Sequence, residues 1–96
     1  MKHYFTQEEA EAKIGQRIRT KVTWASIPVG THGTVVGIDE MGKTKSAATV
    51  PIVIFDVVIR WDVTNHQQTL TDWFTKEEYE QYLEEIGVHH ECPVHP

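Results

Sequence analysis

Hydrophobic and polar positions along the chain follow two periods, and the switch between them marks the elements. In residues 17–24, Ile18, Thr20, Val22 and Trp24 share one face while Arg17, Arg19, Lys21 and Thr23 share the other. A period of two predicts a half-buried strand with a basic outer row. Thr34–Asp39 is β-branched and carries Gly37, and it predicts a second strand. Pro51–Trp61 predicts a long third strand. Val53, Phe55, Val57, Ile59 and Trp61 form one continuous apolar face. Ile52, Ile54, Asp56, Val58 and Arg60 form the other, which is mostly apolar as well. Gln67–Phe74 predicts a fourth strand, with Leu70 and Asp72 opposite Thr69, Thr71 and Trp73. Glu40–Thr49 is polar and reads as a long loop or hairpin tip, and Asp62–His66 reads as a turn, because Asp and Asn bond to their own backbone.

Near both ends the signal becomes helical. Thr6 with Glu9 three residues later forms a capping box, Phe5 and Ala10 are spaced for a hydrophobic staple, and Gly15 supplies a stop, which predicts a helix over Gln7–Ile14. The same chemistry recurs at Phe74, Thr75, Glu78 and Tyr79. There Tyr79, Tyr82, Leu83 and Ile86 fall at i, i+3, i+4 and i+7 before Gly87, which predicts a helix over Lys76–Ile86. Two helices that need the same start select the same residues, so the pair is not an internal repeat.

Short strands separated by turns and flanked by two short helices predict a mainly-β fold, a small antiparallel barrel with a short N-terminal helix and a C-terminal helix. Closing the sheet would remove edges that invite aggregation. Residues 1–88 are expected to form a single domain. The tail 89–96 has two prolines and no periodicity, and is expected to be mobile. The doubly apolar third strand needs a cover on its outer side, either the C-terminal helix or a partner subunit.

Composition narrows the class. The chain has 96 residues, 40% hydrophobic and 24% charged, which suits one soluble domain with a small core. Met1–Glu9 contains no apolar h-region, and the longest apolar run, Val50–Phe55, is short and interrupted by Pro51, so neither a secretory leader nor a membrane span is expected. Cys92 is the single cysteine, which excludes an intramolecular disulfide and suits a reducing cytoplasm. The net charge of −5 is uneven: residues 1–50 carry seven Lys/Arg against five Asp/Glu, and residues 51–96 carry two against nine. An acidic second half repels a polyanion and lowers the case for nucleic acid.

Four stretches carry a family resemblance: Gly15-x-Arg17-Ile18-Arg19, Ile27-Pro28-x-Gly30-Thr31-x-Gly33-x-Val35, Val57-x-Ile59-x-Trp61-Asp62 and Asp72-Trp73-Phe74-Thr75-Lys76-Glu77-Glu78-Tyr79. Over roughly residues 15–86 the pattern resembles small bacterial SH3-like barrel proteins of unassigned role. It resembles more loosely KOW modules and the SH3-like accessory barrels of electron-transport enzymes and of nitrile hydratase. The resemblance implies architecture first. Accessory barrels contribute contact surface rather than chemistry, and KOW modules touch RNA or other proteins. The acidity of this chain departs from an RNA-binding KOW module.

The candidate sites weigh as follows. Pro28–Gly37, "PVGTHGTVVG", has the glycines of a phosphate cradle, but it lacks a P-loop lysine and precedes a strand instead of a helix, so it reads as a turn with His32 at its tip. His89, His90, Cys92 and His95 are possible ligands, but their spacing matches no structural zinc pattern, and no metal or other cofactor is assigned. Asp56, Asp62 and Asp72 show no pairing for acid–base work, and no catalytic residue is assigned; a residual enzyme reading would need His32 or His66 beside an aspartate in a pocket. Two binding surfaces remain. Ile52, Ile54 and Val58, with Ile27, Val29 and Trp73, compose a candidate protein-contact patch. Arg17, Arg19 and Lys21, extended by Lys43 and Lys45, compose a candidate phosphate-binding row. The expected role is a non-catalytic binding or accessory module acting through a protein partner still to be identified, a second copy included as a homodimer. Nucleic-acid binding is the alternative, and no membrane is involved.

Overall fold

The computed structural model describes residues 4–43, 53–65 and 67–88. In chain order these form α1 (Gln7–Ala12), β1 (Gln16–Thr20), β2 (His32–Lys43), β3 (Val53–Asn65), β4 (Gln68–Phe74), α2 (Lys76–Tyr82) and β5 (Leu83–Val88). The fold is mainly β, as the alternating pattern predicts. The strands make one antiparallel sheet in the order β4-β3-β2-β1-β5. β4 and β5 are its two ends, and no ladder joins them among the described residues. Among the described residues no helix is long and apolar enough to cross a membrane.

Both predicted capping boxes are present. Thr6 Oγ1 accepts from the Glu9 N–H while Glu9 accepts from the Thr6 N–H, and Thr75 and Glu78 repeat the exchange. Each box satisfies helix N–H groups that would otherwise lack partners. Each helix, however, ends earlier than its periodicity predicts. α1 stops at Ala12. α2 stops at Tyr82, where Leu83 is extended with φ −119° and ψ 152°.

The reason for the second stop lies on β1. That strand would present an unpaired edge, and β5 fills it with Thr20 opposite Leu83, Arg19 opposite Glu84 and Ile18 opposite Glu85. The apolar stripe is therefore split. Tyr79 and Leu83 reach the core from a helix and a strand respectively, while Ile86 is 40% exposed.

Two other boundaries move for local reasons. β1 stops at Thr20 because its hydroxyl turns back on the chain, donating to the Val22 carbonyl at 2.6 Å and accepting from the Val22 N–H at 3.2 Å. The predicted strand over 17–24 thus gives way to a tight turn in which Trp24 and Ile27 form an isolated bridge around Ala25. β3 continues past Trp61 to Asn65, so the reversal predicted at Asp62–His66 is displaced toward Gln67, which has φ +67°. Glu40–Lys43, expected within a long loop or hairpin tip, extends β2. The rest of that loop, the tail with Cys92, and the candidates Ile52, Lys45 and His66 lie outside the described residues.

The core joins both helices to one side of the sheet. Phe5, Ala10, Ile18, Ile27, Val35, Val57, Ile59, Trp61, Phe74, Tyr79 and Leu83 are buried together. Phe5 packs edge-on against Tyr79 with centroids 5.7 Å apart, and Phe74 lies between Trp24 at 4.6 Å and Trp61 at 6.1 Å. Gly33 is fixed by this packing: an added Cβ would sit 2.9 Å from the Arg60 carbonyl and 3.0 Å from the Trp61 ring. Gly30, by contrast, is required by its φ of +90°. Because Tyr79 and Leu83 are core residues, α2 covers the inner side of the sheet and does not serve as the cover expected for the outer face of β3.

Candidate functional site

On the outer face of β3, a side chain from the neighbouring strand reaches across to β2. Val58 lies directly opposite Trp73 on β4, and Asp56 lies directly opposite Asp39 on β2. The Trp73 indole N–H donates to Asp39 Oδ2 at 2.8 Å. A β4 side chain that reaches β2 must cross β3, so the indole spans the row formed by Val58 and Asp56. Ile54 continues that row, and Met41 stands beside it at a bulge of β2 between Glu40 and Gly42. Two of the predicted contact residues, Ile54 and Val58, are thus half-buried on one face with Trp73, a residue that remains 46% exposed. Val29 is exposed in the turn before β2, and Ile27 belongs to the core.

Asp56 is buried within this row. It is only 7% exposed, although it stands on the outer face. No described residue donates a hydrogen bond to it or pairs with it as a cation. Burial pushes its pKa up, and the neighbouring Glu78 and Asp39 push it further in the same direction. The sequence did hold a signal for this site: an aspartate set in the mostly apolar row Ile52, Ile54, Val58. The Asp39 partnership lay beyond reach, because it depends on the β2–β3 register.

The basic row is engaged within the protein. Arg17 grips Asp62 through two hydrogen bonds of 2.9 and 2.6 Å, and the same guanidinium donates to Thr34 Oγ1 at 2.7 Å. The hydrogen bonds to Asp62 raise the Arg17 pKa against the opposing effect of burial. Arg19 pairs with Glu84 across the β1–β5 ladder. Lys21 is exposed beyond the end of β1, and His32 is exposed at the start of β2, opposite Arg19. The structure therefore does not gather Arg17, Arg19, Lys21 and His32 into one free cationic surface. The remaining aspartate from the sequence, Asp72, accepts the Trp61 indole N–H at 2.8 Å.

A second ionic cluster ties β5 to the helices. Glu85 accepts from Lys13 and, at 2.8 Å, from the Tyr79 hydroxyl. Burial alone would raise the Glu85 pKa, but the hydrogen bonds from Lys13 and Tyr79 hold it below its ordinary value. The Tyr79 hydroxyl is pushed up by burial and by the same carboxylate. An open cleft of about 280 Å³ between α1 and α2 is lined by Phe5, Glu9, Ala12, Lys13, Lys76 and Glu80. Its lysines are paired, Lys13 with Glu85 and Lys76 with Glu9 at 3.5 Å. Among the described residues no group of three or more His, Cys, Asp or Glu is placed to hold a metal ion.

Comparison with protein-family models, with curated proteins and with solved structures returned no match.

Proposed function

We propose that the chain is a small SH3-like barrel that works in the cytoplasm as a non-catalytic binding or accessory module, through protein–protein contact at the outer face of β2, β3 and β4. The observation that carries this reading is Trp73. A large aromatic residue is 46% exposed, yet it is held in place by Asp39 and backed by Val58. Aromatic side chains that are fixed before binding lose little entropy on contact, and they dominate protein interfaces. The barrel reading is supported by the sheet order: the chain runs as a meander through β1 to β4 and returns β5 to the open side of β1. Register shifts in β2 at Val35/Gly37 and Glu40/Gly42 supply the bends that coiling of such a sheet needs.

The alternative, nucleic-acid binding through Arg17, Arg19 and Lys21, is the weaker reading. Asp62 and Glu84 already neutralise the two arginines, so a phosphate would have to displace a bidentate carboxylate.

Affinity capture from the native host with wild-type chain and a Trp73→Ser variant, combined with light scattering of both, tests the proposal. A protein retained by wild type and lost from the variant supports it, as does a concentration-dependent dimer lost in the variant. Identical capture and a strict monomer for both would refute it.

A further inference from the structure

Around Asp56 the described residues leave a charge imbalance uncorrected. Two carboxylates, Glu78 on α2 and Asp39 on β2, act on a third, Asp56 on β3. Glu78 is held by the Thr75 N–H in the capping box, and Asp39 by the Trp73 indole N–H. Asp56 has neither a donor nor a cation among the described residues, and it is 7% exposed. Leaving a buried carboxylate unpaired costs free energy unless a partner arrives or a proton is taken up. Trp73 stands on the same face, bonded to Asp39 directly opposite Asp56, and an indole face attracts cations more strongly than any other aromatic ring.

We infer that Trp73, Asp39 and Asp56 form a binding site for the side-chain cation of a lysine or arginine on a basic segment of a partner protein. The indole supplies the cation–π face, and the carboxylates supply the countercharge. The acidic second half of the chain, two Lys/Arg against nine Asp/Glu over residues 51–96, favours approach of such a segment. The inference rests on the contact role proposed above and names its partner's chemistry.

The test is a titration of the ¹⁵N-labelled full chain with the end-blocked peptide Gly-Arg-Gly-Lys-Gly, with Gly-Gln-Gly-Gln-Gly as the neutral control and sodium chloride matched for ionic strength. The expected result is a saturable shift of the Trp73 indole N–H with the basic peptide alone. Asp56→Asn keeps the shape of the side chain, and it should weaken the affinity about fivefold to tenfold. Asp39→Asn serves as a second carboxylate variant, expected to act in the same direction. No shift, an equal shift with the neutral peptide or with salt, or unchanged affinity in Asp56→Asn would overturn the inference. A response that appears only in Lys45→Gln would overturn it too, because it would make the chain's own loop lysine the occupant. If capture of a partner depends on Trp73 but not on Asp56, the contact role stands and this inference fails. If capture is indifferent to Trp73, the contact role itself fails.

Discussion

Trp73 and Asp39 are two strands apart, and a 2.8 Å hydrogen bond from the indole N–H to Asp39 Oδ2 joins them over the top of β3. That bond fixes a half-exposed aromatic ring across the row of Val58 and Asp56 instead of leaving it free to rotate. Replacing Asp39 by Ala removes the acceptor but leaves the strand intact. The expected outcome is loss of stability of about 1 kcal/mol, the net worth of such a bond near the surface. The Trp73 indole N–H should also exchange with solvent much faster. Urea unfolding and hydrogen exchange of the indole resonance check both. Trp73→Phe should cost a similar amount, since it keeps the ring and loses the donor.

Asp56 predicts an unusual pH dependence. Its carboxyl is raised in the folded protein by burial and by Glu78 and Asp39, so the folded state holds this proton at pH values where the unfolded chain has released it. Its contribution to stability is therefore greatest below the unfolded value of about 4, and it declines as pH rises through the folded value. Glu85 acts with the opposite sign: its lowered pKa gives stability above the unfolded value that is lost as pH falls. Comparison with Asp56→Asn isolates the first effect. The variant should be more stable than wild type at pH 7, with the advantage disappearing toward pH 4. Urea midpoints across that range decide it; a variant less stable than wild type at pH 7 would show that Asp56 contributes through a bond rather than costing through its charge.

The Arg17–Asp62 pair makes a contrasting prediction for the other end of the sheet. The pair is bidentate and shares its guanidinium with Thr34, but both side chains are partly exposed. The coupling energy in a double-mutant cycle with Arg17→Met and Asp62→Asn is expected to be about 1 kcal/mol, and to shrink at 1 M salt. Arg17→Lys should recover less than half, because an ammonium cannot reproduce the fork that meets Asp62 and Thr34 together.

These relationships separate what the sequence reveals from what it hides. Both capping boxes, the core face Val57, Ile59 and Trp61, and the mainly-β class follow from local chemistry and periodicity, which is why they were legible. The end of α2 was not. Leu83 and Ile86 fit a helical stripe, yet Leu83–Val88 is strand, because the free edge of β1 provides partners that no local window contains. The site follows the same rule. Ile54, Val58 and Trp73 were readable as surplus apolar residues. Asp39 and Asp56 became part of the site only through the register that sets them opposite each other. Arg17 and Arg19 alternate with buried Ile18 and Thr20 as the period of two predicts, but Lys21 lies beyond the strand, and the acidic partners come from residues 62 and 84, far along the chain.

β2 offers a last test, in which two of its glycines should respond oppositely. Gly33 is pressed against β3, where a Cβ would meet the Arg60 carbonyl at 2.9 Å, the Ile59 Cγ2 at 3.0 Å and the Trp61 ring at 3.0 Å. Backbone and core ring cannot move aside independently, so Gly33→Ala forces β2 away from β3 at their closest point. The expected cost is about 1–3 kcal/mol, the range for overpacking a tight interior. Gly37, four residues along the same strand, meets nothing within 4 Å. Gly37→Ala adds no contact and reduces the freedom of the unfolded chain, so it should be neutral or stabilising by about 0.5 kcal/mol. Paired urea denaturation of the two variants measures the difference. Equal effects would mean that the close approach of Gly33 to β3 does not constrain the sheet.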